Sequence, residues 1–317
     1  MSKRTPIVMF GALRSGTTLF RLILDHHPDL SIPGESDFLL DHIAPDDSHP
    51  SGWRYDKAAL RKSRTFVAHG LSAPDDLDGT DLLAALIDAL AVPPARSVLV
   101  FHRNAEKLAQ LLPAAPVIHL LRDPRDVARS SIDMGWAGNS YYGVTHWIET
   151  ERSWQASGLA RGLADGQALT VHFEALMQEM QAELTRVCAF LGLAFAPEML
   201  SYPETTTYGP PDPGIAQKWR ARATPREVAR IEARIEAHVP GLLAASGYAP
   251  SESLREMGAL EHRWVMADHR VRRWRFTIRR YGFWLFAGHL VSRLSGSRAL
   301  RQRVEQRREE IALHHLK

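Results

Sequence analysis

The chain has 317 residues, of which 45% are hydrophobic and 24% are charged, and its formal net charge is +3 at pH 7. These proportions are ordinary for a globular protein, and they exclude an intrinsically disordered chain, which needs low hydrophobicity and a high net charge. The length allows one large domain or two small ones, with a sizeable core.

The single cysteine and the N-terminal residues both give information about the cellular compartment of the protein. Cys188 excludes an intramolecular disulfide, and its apolar neighbours indicate a buried thiol rather than a nucleophile. The first residues lead directly into a strand-like run, without the apolar segment of a signal peptide. No uncharged run reaches the roughly 18 residues that a membrane-spanning helix needs. We therefore expect a cytoplasmic protein.

Strand-like and helical patterns alternate along the chain. Short apolar runs bounded by turn residues predict strands at residues 6–10, 30–33, 97–101, 117–121 and 169–173. Helical spacing predicts helices at residues 17–26, 81–90, 105–112, 176–191 and 225–238, the last capped by Thr224, and another that opens at Pro124. This alternation implies an α/β fold of three layers, in which helices cover both faces of a central parallel sheet. Ligands of such sheets bind at the carboxyl ends of the strands.

The turn after the first strand has the glycine spacing of a phosphate-binding loop. It reads Gly11-Ala-Leu-Arg-Ser-Gly-Thr-Thr18, and a predicted helix follows. Backbone N–H groups in such a loop, with the helix dipole behind them, form an anion site. A nucleoside-triphosphate P-loop has lysine where this chain has Thr17, and the cation here is Arg14, inside the loop. The alternative is a turn whose glycines serve the backbone geometry alone.

A second candidate phosphate site follows the strand predicted at residues 117–121. Arg122 lies at the end of this strand, and Ser130 falls about two helical turns later. Together they could clamp a second phosphate, Arg122 through its charge and Ser130 through its hydroxyl. In the alternative interpretation, Arg122 pairs with Asp123 or Asp126 in a surface ion network.

These two motifs resemble those of the sulfotransferases that use 3′-phosphoadenosine-5′-phosphosulfate (PAPS). Residues 14–19, Arg-Ser-Gly-Thr-Thr-Leu, resemble the 5′-phosphosulfate loop, and residues 117–131 resemble the 3′-phosphate motif. Residues 24–35, which end in Gly-Glu, are similar to the branch that includes the tyrosylprotein sulfotransferases. Shorter stretches resemble bacterial members, at 135–141, 190–193, 218–219 and 246–248. The resemblance covers about residues 5–250 and implies a P-loop-like sulfotransferase domain over residues 1–250.

The resemblance implies a binding role for each matching residue. One group would hold the 5′-phosphosulfate of PAPS: Arg14, Ser15, Gly16, Thr17 and Thr18. A second group would hold the 3′-phosphate, or lie near the nucleotide: Arg122 and Ser130, then Lys218 and Trp219.

Two residues would act in the chemistry of transfer. Arg14 is suited to stabilise the negative charge that builds on the bridging oxygen. The resemblance points to Glu35 as the base for the acceptor hydroxyl. On its position alone, Glu35 is equally the first-turn residue of a short helix. The reaction needs no metal, and the histidines, including the pairs at 26–27 and 314–315, lack the spacing of a metal site.

The chain departs from the family pattern in three places. Many relatives carry Lys-x-Pro after the third strand, where this chain has Phe101-His-Arg-Asn104, so either His102 or Arg103 would supply the missing cation. Only Gly214 remains of an Arg-Lys-Gly loop found in the cytosolic branch. A second arginine that some relatives place after the serine falls at Met134. We therefore expect this chain to make fewer contacts with the 3′-phosphate than those relatives do.

The resemblance does not include residues 251–317, which we expect to form a basic, helical C-terminal extension. From residue 255 to the end there are 15 lysines and arginines but 6 acidic residues. Arginines beside aromatic residues at 270–280, and an apolar stretch at 281–291, suit peripheral contact with an anionic membrane. The alternative is packing of the extension's apolar residues on the domain or in a homodimer: Trp274, Ile278, Trp284 and Leu285. No nucleic-acid motif accompanies the basic residues, so we expect no nucleic-acid partner.

Three functions compete at this point. The leading hypothesis is a PAPS-dependent sulfotransferase that transfers a sulfuryl group to an acceptor hydroxyl or amine. A P-loop kinase is disfavoured because the lysine of its loop is absent. The third is a non-catalytic nucleotide-binding protein whose extension docks a membrane or a partner. The acceptor class stays open among carbohydrate, lipid, peptide tyrosine and small metabolite, because acceptor pockets are built from loops that carry no readable code.

Overall fold

The structure is a computed structural model, and it describes residues 5–251 and 257–295, together with residues 303, 304 and 307. The rest of the predicted extension, with the histidine pair at 314–315, lies outside the described residues. The strands are β1 (Ile7–Gly11), β2 (Leu30–Ser31), β3 (Ile43–Pro45), β4 (Trp53–Tyr55), β5 (Arg96–Phe101), β6 (Val117–Leu121) and β7 (Ala168–His172).

Helices connect and cover these strands. They are α1 (Thr17–Leu24), α2 (Phe38–Asp41), α3 (Lys57–Leu60), α4 (Arg64–Ala68), α5 (Gly79–Leu90), α6 (Ala105–Leu111), α7 (Pro124–Asp133), α8 (Ser140–Gly143), α9 (Thr145–Ser157), α10 (Phe173–Gln178), α11 (Met180–Leu191), α12 (Tyr202–Thr205), α13 (Trp219–Arg222), α14 (Pro225–His238), α15 (Leu242–Ala245), α16 (Ala259–Tyr281) and α17 (Phe283–Leu294). Short 3₁₀ turns lie at Leu159–Leu163, Pro197–Ser201 and Pro213–Ile215.

Five strands form one parallel sheet in the order β2-β5-β1-β6-β7. Every residue of β1 and β6 is buried, as the continuous apolar runs in the sequence predict for strands covered on both faces. The carboxyl ends of β1, β5 and β6 therefore meet at one edge of the sheet. The prediction of a three-layer α/β fold is confirmed.

The two faces of the sheet carry separate hydrophobic cores. Alternate residues of each strand point to opposite faces, so in β1 Ile7 and Met9 pack on the side of α1 and α11. Val8 and Phe10 pack on the other side, with α5 and α6. Cys188 of α11 is 1% exposed and lies in the first of these cores, which confirms the prediction of a buried thiol.

Several elements differ from the sequence predictions. The helix predicted at 176–191 is interrupted at Glu179, yet Met177 and Met180 on either side of the break are both buried, so apolar spacing does not mark it. Helix α9 is not predicted, because its buried face mixes Trp147 and Trp154 with polar residues. The antiparallel pair β3–β4 is also not predicted.

The described part of the basic extension is helical and packs on the rest of the chain. In α16, Val265 is 1% exposed, and its carbonyl accepts a hydrogen bond from Asn139 Nδ2 at 2.8 Å. Gly138 donates its N–H to His269 Nδ1 at 3.1 Å. A Cβ atom at Gly138 would overlap the carbonyl of His269, and one at Gly135 would overlap the ring of Phe276. These two glycines therefore leave the space into which α16 packs, and we call them the seat of α16.

The outer side of the extension is exposed. Trp274 is 50% exposed and Trp284 is 85% exposed, so the alternative in which both pack on the domain does not describe this structure. Within residues 5–251 and 257–295, no helix is both long and apolar enough to cross a membrane. The boundary at residue 250 stays a prediction.

A buried ion pair fixes the start of α7. The carboxylate of Asp123 accepts hydrogen bonds from Arg125 Nε at 2.8 Å and Nη2 at 2.7 Å, and from Trp219 Nε1 at 2.9 Å. Arg125 is 3% exposed and also donates to Glu232 of α14 at 3.1 Å. This network ties the residues beside Arg122 to two later segments of the chain.

We expect Arg125→Ala to lower the free energy of unfolding by about 3–5 kcal/mol, because it leaves the carboxylates of Asp123 and Glu232 buried without their partner. The control is Arg186→Ala, which removes an exposed arginine paired with Glu183 and should cost less than about 1 kcal/mol. Urea denaturation followed by circular dichroism measures both changes. A loss at Arg125 no larger than the loss at Arg186 contradicts this account.

Candidate active site

The loop between β1 and α1 turns sharply at the carboxyl edge of the sheet. Arg14 and Gly16 both have positive φ, 72° and 95°, and Ser15 donates its N–H to the carbonyl of Ala12 at 3.0 Å. Helix α1 begins directly afterwards, at Thr17. The N–H groups in the first turn of a helix have no partner within the helix, so the start of α1 can stabilise an anion.

Gly16 is required by close packing as well as by its backbone conformation. A Cβ atom at this position would overlap the ring of Phe173, the first residue of α10. The same ring lies under Arg122, whose guanidinium carbon is 4.3 Å from the ring centroid. Phe173 thus holds the loop and the end of β6 together.

A cleft of about 160 Å³ opens beside this loop. Its lining includes six of the residues predicted to bind PAPS: Arg14, Gly16, Thr17, Thr18, Arg122 and Ser130. Arg14 Nε donates to Ser130 Oγ at 2.9 Å, which joins the first motif directly to the second. The two candidate phosphate sites of the sequence therefore form one cleft.

Arg122 makes no salt bridge among the described residues. Its Nη1 and Nη2 donate to the carbonyls of Arg14 and Ile215, both at 3.3 Å, and its buried Nε has no hydrogen-bond partner in the described chain. Burial lowers the pKa of Arg122, while the nearby charges of Asp126 and Glu174 oppose that shift. An arginine stays charged even so.

The alternative role of Arg122 is an ion pair with Asp123 or Asp126. In the structure it is Arg125, the second arginine of the motif, that forms an ion pair. Arg125, and not Arg122, pairs with Asp123. The guanidinium of Arg122 is therefore left to face the cleft.

His102 contacts the loop from the neighbouring strand. Its Nε2 lies 3.2 Å from Thr17 Oγ1, and its Nδ1 lies 2.7 Å from Asp37 Oδ2. Burial by itself would raise the pKa of Asp37, but hydrogen bonds and charge from His102 outweigh it, and the pKa lies below its usual value. An ionised Asp37 accepts a hydrogen from Nδ1, which fixes the imidazole and aims Nε2 at Thr17.

Arg103 pairs with Asp41 and does not line the cleft. Its Nε donates to Asp41 Oδ1 at 2.7 Å, and its side chain is 53% exposed. Of the two residues that could replace the family lysine, the structure therefore brings His102, and not Arg103, to the phosphate-binding loop.

Other predicted residues do not line the cleft. Ser15 is buried, and its hydroxyl has no partner in the described part of the chain. Trp219 is used by the ion network, with Arg125 stacked 3.9 Å from its ring centroid, and Lys218 is half-buried beside it. Glu35 forms an isolated parallel bridge with a residue of β5, near the carboxyl end of that strand, and its side chain is exposed.

The sequence did not indicate three residues that do line the cleft: Phe173, Tyr208 and Ile215. Tyr208 lies in a glycine- and proline-rich stretch that is recognisable as a loop, but nothing local places that loop near α1. Phe173 ends a predicted strand and looks like an ordinary core residue.

Comparison with known proteins shows the family to which the chain belongs. A sequence model described as the sulfotransferase family matches residues 6–197, which is more than half of the chain. The chain belongs to the sulfotransferase family. The prediction of a sulfotransferase is confirmed, and the protein is an enzyme of the transferase class.

Two sulfotransferases named for protein tyrosine resemble the chain. A protein named as a candidate protein-tyrosine sulfotransferase of Caenorhabditis briggsae is 27% identical over 211 residues, 62% of this chain and 69% of that protein. Protein-tyrosine sulfotransferase 2 of Gallus gallus is 24% identical over 298 residues, 85% of this chain and 76% of that protein.

Two solved structures share the fold of this sulfotransferase. The sulfotransferase domain from the curacin biosynthetic pathway has a TM-score of 0.58 at 18% identity, covering 79% of this chain and 100% of that one. The sulfotransferase domain of the Synechococcus PCC 7002 olefin synthase has a TM-score of 0.52 at 20% identity, covering 73% and 96%.

We expect Gly16→Ala to be strongly destabilising, because the new methyl group meets the Phe173 ring in addition to the strain of a positive φ. Gly52→Ala is the matched control: Gly52 also has a positive φ, 71°, but nothing lies within 4 Å of its Cβ position. The control should lose about 1 kcal/mol and Gly16→Ala about 2–4 kcal/mol. Thermal unfolding of the two variants tests this, and equal losses would rule out the packing contribution.

Proposed function

We propose that this sulfotransferase moves a sulfuryl group from PAPS to an acceptor hydroxyl. One observation carries the proposal: a single cleft combines a phosphate-binding loop with Arg122 and Ser130, joined by the Arg14–Ser130 hydrogen bond. PAPS carries a 5′-phosphosulfate and a 3′-phosphate, so its two anionic groups match these two sets of residues.

The residues of the cleft fit such a donor. Two arginines, Arg14 and Arg122, line it, and its lining contains no carboxylate among the described residues. The buried Nε of Arg122 lacks a partner within the described chain, and a bound phosphate would supply one. A kinase would need a lysine at Thr17 for the γ-phosphate, so the same geometry disfavours ATP.

In this proposal each residue has a defined task. When bound, PAPS supplies the sulfuryl group and leaves as 3′-phosphoadenosine 5′-phosphate. Arg14 and the N–H groups of the first turn of α1 stabilise the negative charge that develops on the bridging oxygen. His102 orients the Thr17 hydroxyl and takes the place of the lysine that many relatives carry. Glu35 accepts the proton of the acceptor hydroxyl as the new O–S bond forms and the bond to the phosphate breaks.

We also propose that the extension contacts a membrane or a second subunit. What supports it is the outer side of α16 and α17, where Trp274, Phe283 and Trp284 are at least half exposed beside arginines. Aromatic and arginine side chains together suit an anionic lipid surface.

We expect Arg122→Gln to weaken the binding of 3′-phosphoadenosine 5′-phosphate by about 10- to 100-fold, because a charged hydrogen-bond donor to the 3′-phosphate is lost. Ser130→Ala removes a neutral donor and should cost less. Both variants should bind adenosine 5′-phosphate as the unchanged protein does. Calorimetry with the two nucleotides measures the difference.

Arg129→Gln serves as the control for these variants, because Arg129 lies on the same helix but pairs with Glu227 and does not line the cleft. Its affinity for both nucleotides should be unchanged. If Arg122→Gln weakens both nucleotides equally, Arg122 does not bind the 3′-phosphate.

We expect Glu35→Gln to bind 3′-phosphoadenosine 5′-phosphate normally and to lose nearly all transfer, because the amide keeps the size of the side chain but cannot take a proton. Transfer is measured as the incorporation of labelled sulfate from PAPS into host extract, with mass identification of the product. His102→Gln is assayed in parallel. Activity of Glu35→Gln within a few-fold of the unchanged protein would show that the base is another residue, and His102 is then the next candidate.

A further inference from the structure

Three buried polar side chains form a hydrogen-bonded row that ends at the phosphate-binding loop. Asp37 lies directly before α2, His102 directly after β5, and Thr17 is the first residue of α1. All three are buried, and we call them the buried row. His102 stands in the middle, with Nδ1 at 2.7 Å from Asp37 Oδ2 and Nε2 at 3.2 Å from Thr17 Oγ1. Thr17 also lines the cleft, so a change at His102 reaches a bound anion through the Thr17 hydroxyl.

Asp37 determines where the neutral imidazole of His102 carries its proton. Its Oδ1 accepts the backbone N–H of His102 at 2.9 Å, and Arg103 Nη1 lies 3.6 Å from Oδ2. Burial raises the pKa of Asp37, but hydrogen bonds and charge from His102, with the charge of Arg103, outweigh it and hold this pKa below its usual value. An ionised carboxylate has no hydrogen to donate, so Nδ1 carries a proton in the neutral ring as well as in the charged ring.

The state of Nε2 then sets the direction of the hydrogen bond to Thr17. In the neutral ring Nε2 has no hydrogen, so it accepts the hydrogen of the Thr17 hydroxyl. The oxygen of Thr17 then has only lone pairs left for the cleft, and these repel an anion. In the imidazolium ion, Nε2 donates to Thr17 Oγ1 instead, which leaves the hydroxyl hydrogen for an oxygen of a bound phosphate.

The other groups around His102 leave this choice to the buried row. From α9, the uncharged Thr150 donates its hydroxyl to the backbone carbonyl of His102 at 2.8 Å. Arg103 donates to Asp41 at 2.7 Å, and the charge of Glu35 also acts on Arg103. In the part of the chain that the structure describes, the imidazole therefore has one carboxylate and one hydroxyl as its hydrogen-bond partners.

We propose that the nucleotide binds to the form of the protein in which His102 is an imidazolium ion, so that binding above neutral pH takes up one proton from solvent onto Nε2. The proposal rests on the proposed sulfuryl transfer, since PAPS or its product supplies the anion. His102 is in this view a positioning residue that acts through Thr17. An imidazolium ion cannot accept the proton of the acceptor hydroxyl, which leaves that task to Glu35.

The affinity for the nucleotide is expected to fall as the pH rises. Histidine changes its charge between about pH 5 and 8, so at higher pH the imidazolium form becomes rarer in the free protein. Two other groups can exchange protons when the nucleotide binds. Burial raises the pKa values of Asp126 and Glu174, and the charges of both act on Arg122. Variants of His102 separate its proton from theirs.

Calorimetry with 3′-phosphoadenosine 5′-phosphate at pH 7.5, in two buffers that differ in ionisation enthalpy, measures the number of protons taken up. Both phosphates of this nucleotide are ionised at that pH, since the second pKa of a phosphate monoester is about 6. We expect the unchanged protein to take up about half a proton or more for each nucleotide bound. Its affinity should fall between pH 7.5 and 8.5, by up to about tenfold, which is the limit for one linked proton.

Two variants and a control identify the group that takes up the proton. His102→Lys supplies a charged donor at both pH values, so it should bind the nucleotide without proton uptake and with equal affinity at pH 7.5 and 8.5. His102→Asn keeps an amide near Asp37 but does not reach Thr17, so its binding should be about 3- to 10-fold weaker at pH 7.5 and independent of pH. His146→Gln should behave as the unchanged protein, because His146 pairs with Glu149 and does not line the cleft.

Proton uptake near zero in the unchanged protein, with equal affinity at the two pH values, would overturn the proposal, and this measurement needs no variant to fold. Uptake that persists in His102→Lys and His102→Asn would also overturn it, by assigning the proton to Asp126 or Glu174. Circular dichroism shows whether each variant is folded. Absence of nucleotide binding by the unchanged protein counts against the proposed sulfuryl transfer, whereas normal binding without a linked proton counts against this inference alone.

Discussion

The carboxylate of Asp123 is the point on which the arrangement of the site depends. It is buried, and the donors that satisfy it come from Arg125 in the same turn and from Trp219, 96 residues later. Its own N–H donates to Glu174 Oε1 at 2.9 Å, in α10. Since Arg122 is the adjacent residue, these bonds fix the end of β6 relative to α10 and α13. The positions of Arg122 and of the helix that carries the serine follow from that.

Much of the fold and of the candidate donor site could be predicted from the sequence because the relevant signals are local. A continuous apolar run marks a covered strand, and the loop from Gly11 to Thr18 carries its glycines at the spacing that its turns require. The helix after Arg122 sets the position of Ser130 by helical geometry alone. Residues that follow a strand directly in sequence also lie at its end in space, so both phosphate motifs meet at one edge of the sheet.

The features that escaped prediction depend on distant contacts. Trp219 lies in a segment that resembles a nucleotide-binding stretch. In the structure its Nε1 donates to the buried carboxylate of Asp123, and its ring stacks with Arg125. Nothing near Tyr208 reveals that its loop reaches α1. The choice between His102 and Arg103 depends on Asp37 and Asp41, which lie more than 60 residues earlier and hold the two side chains in different places.

The seat of α16 has a consequence for comparing chains of this family. Gly135 and Gly138 leave room for the Phe276 ring and for the backbone of His269, and a methyl group at either position would occupy that space. A chain with larger residues at both positions cannot receive a helix there in the same way. Because the two glycines lie within the region that matches the family model, larger residues at these two positions of a related chain would exclude a helix placed as α16 is here.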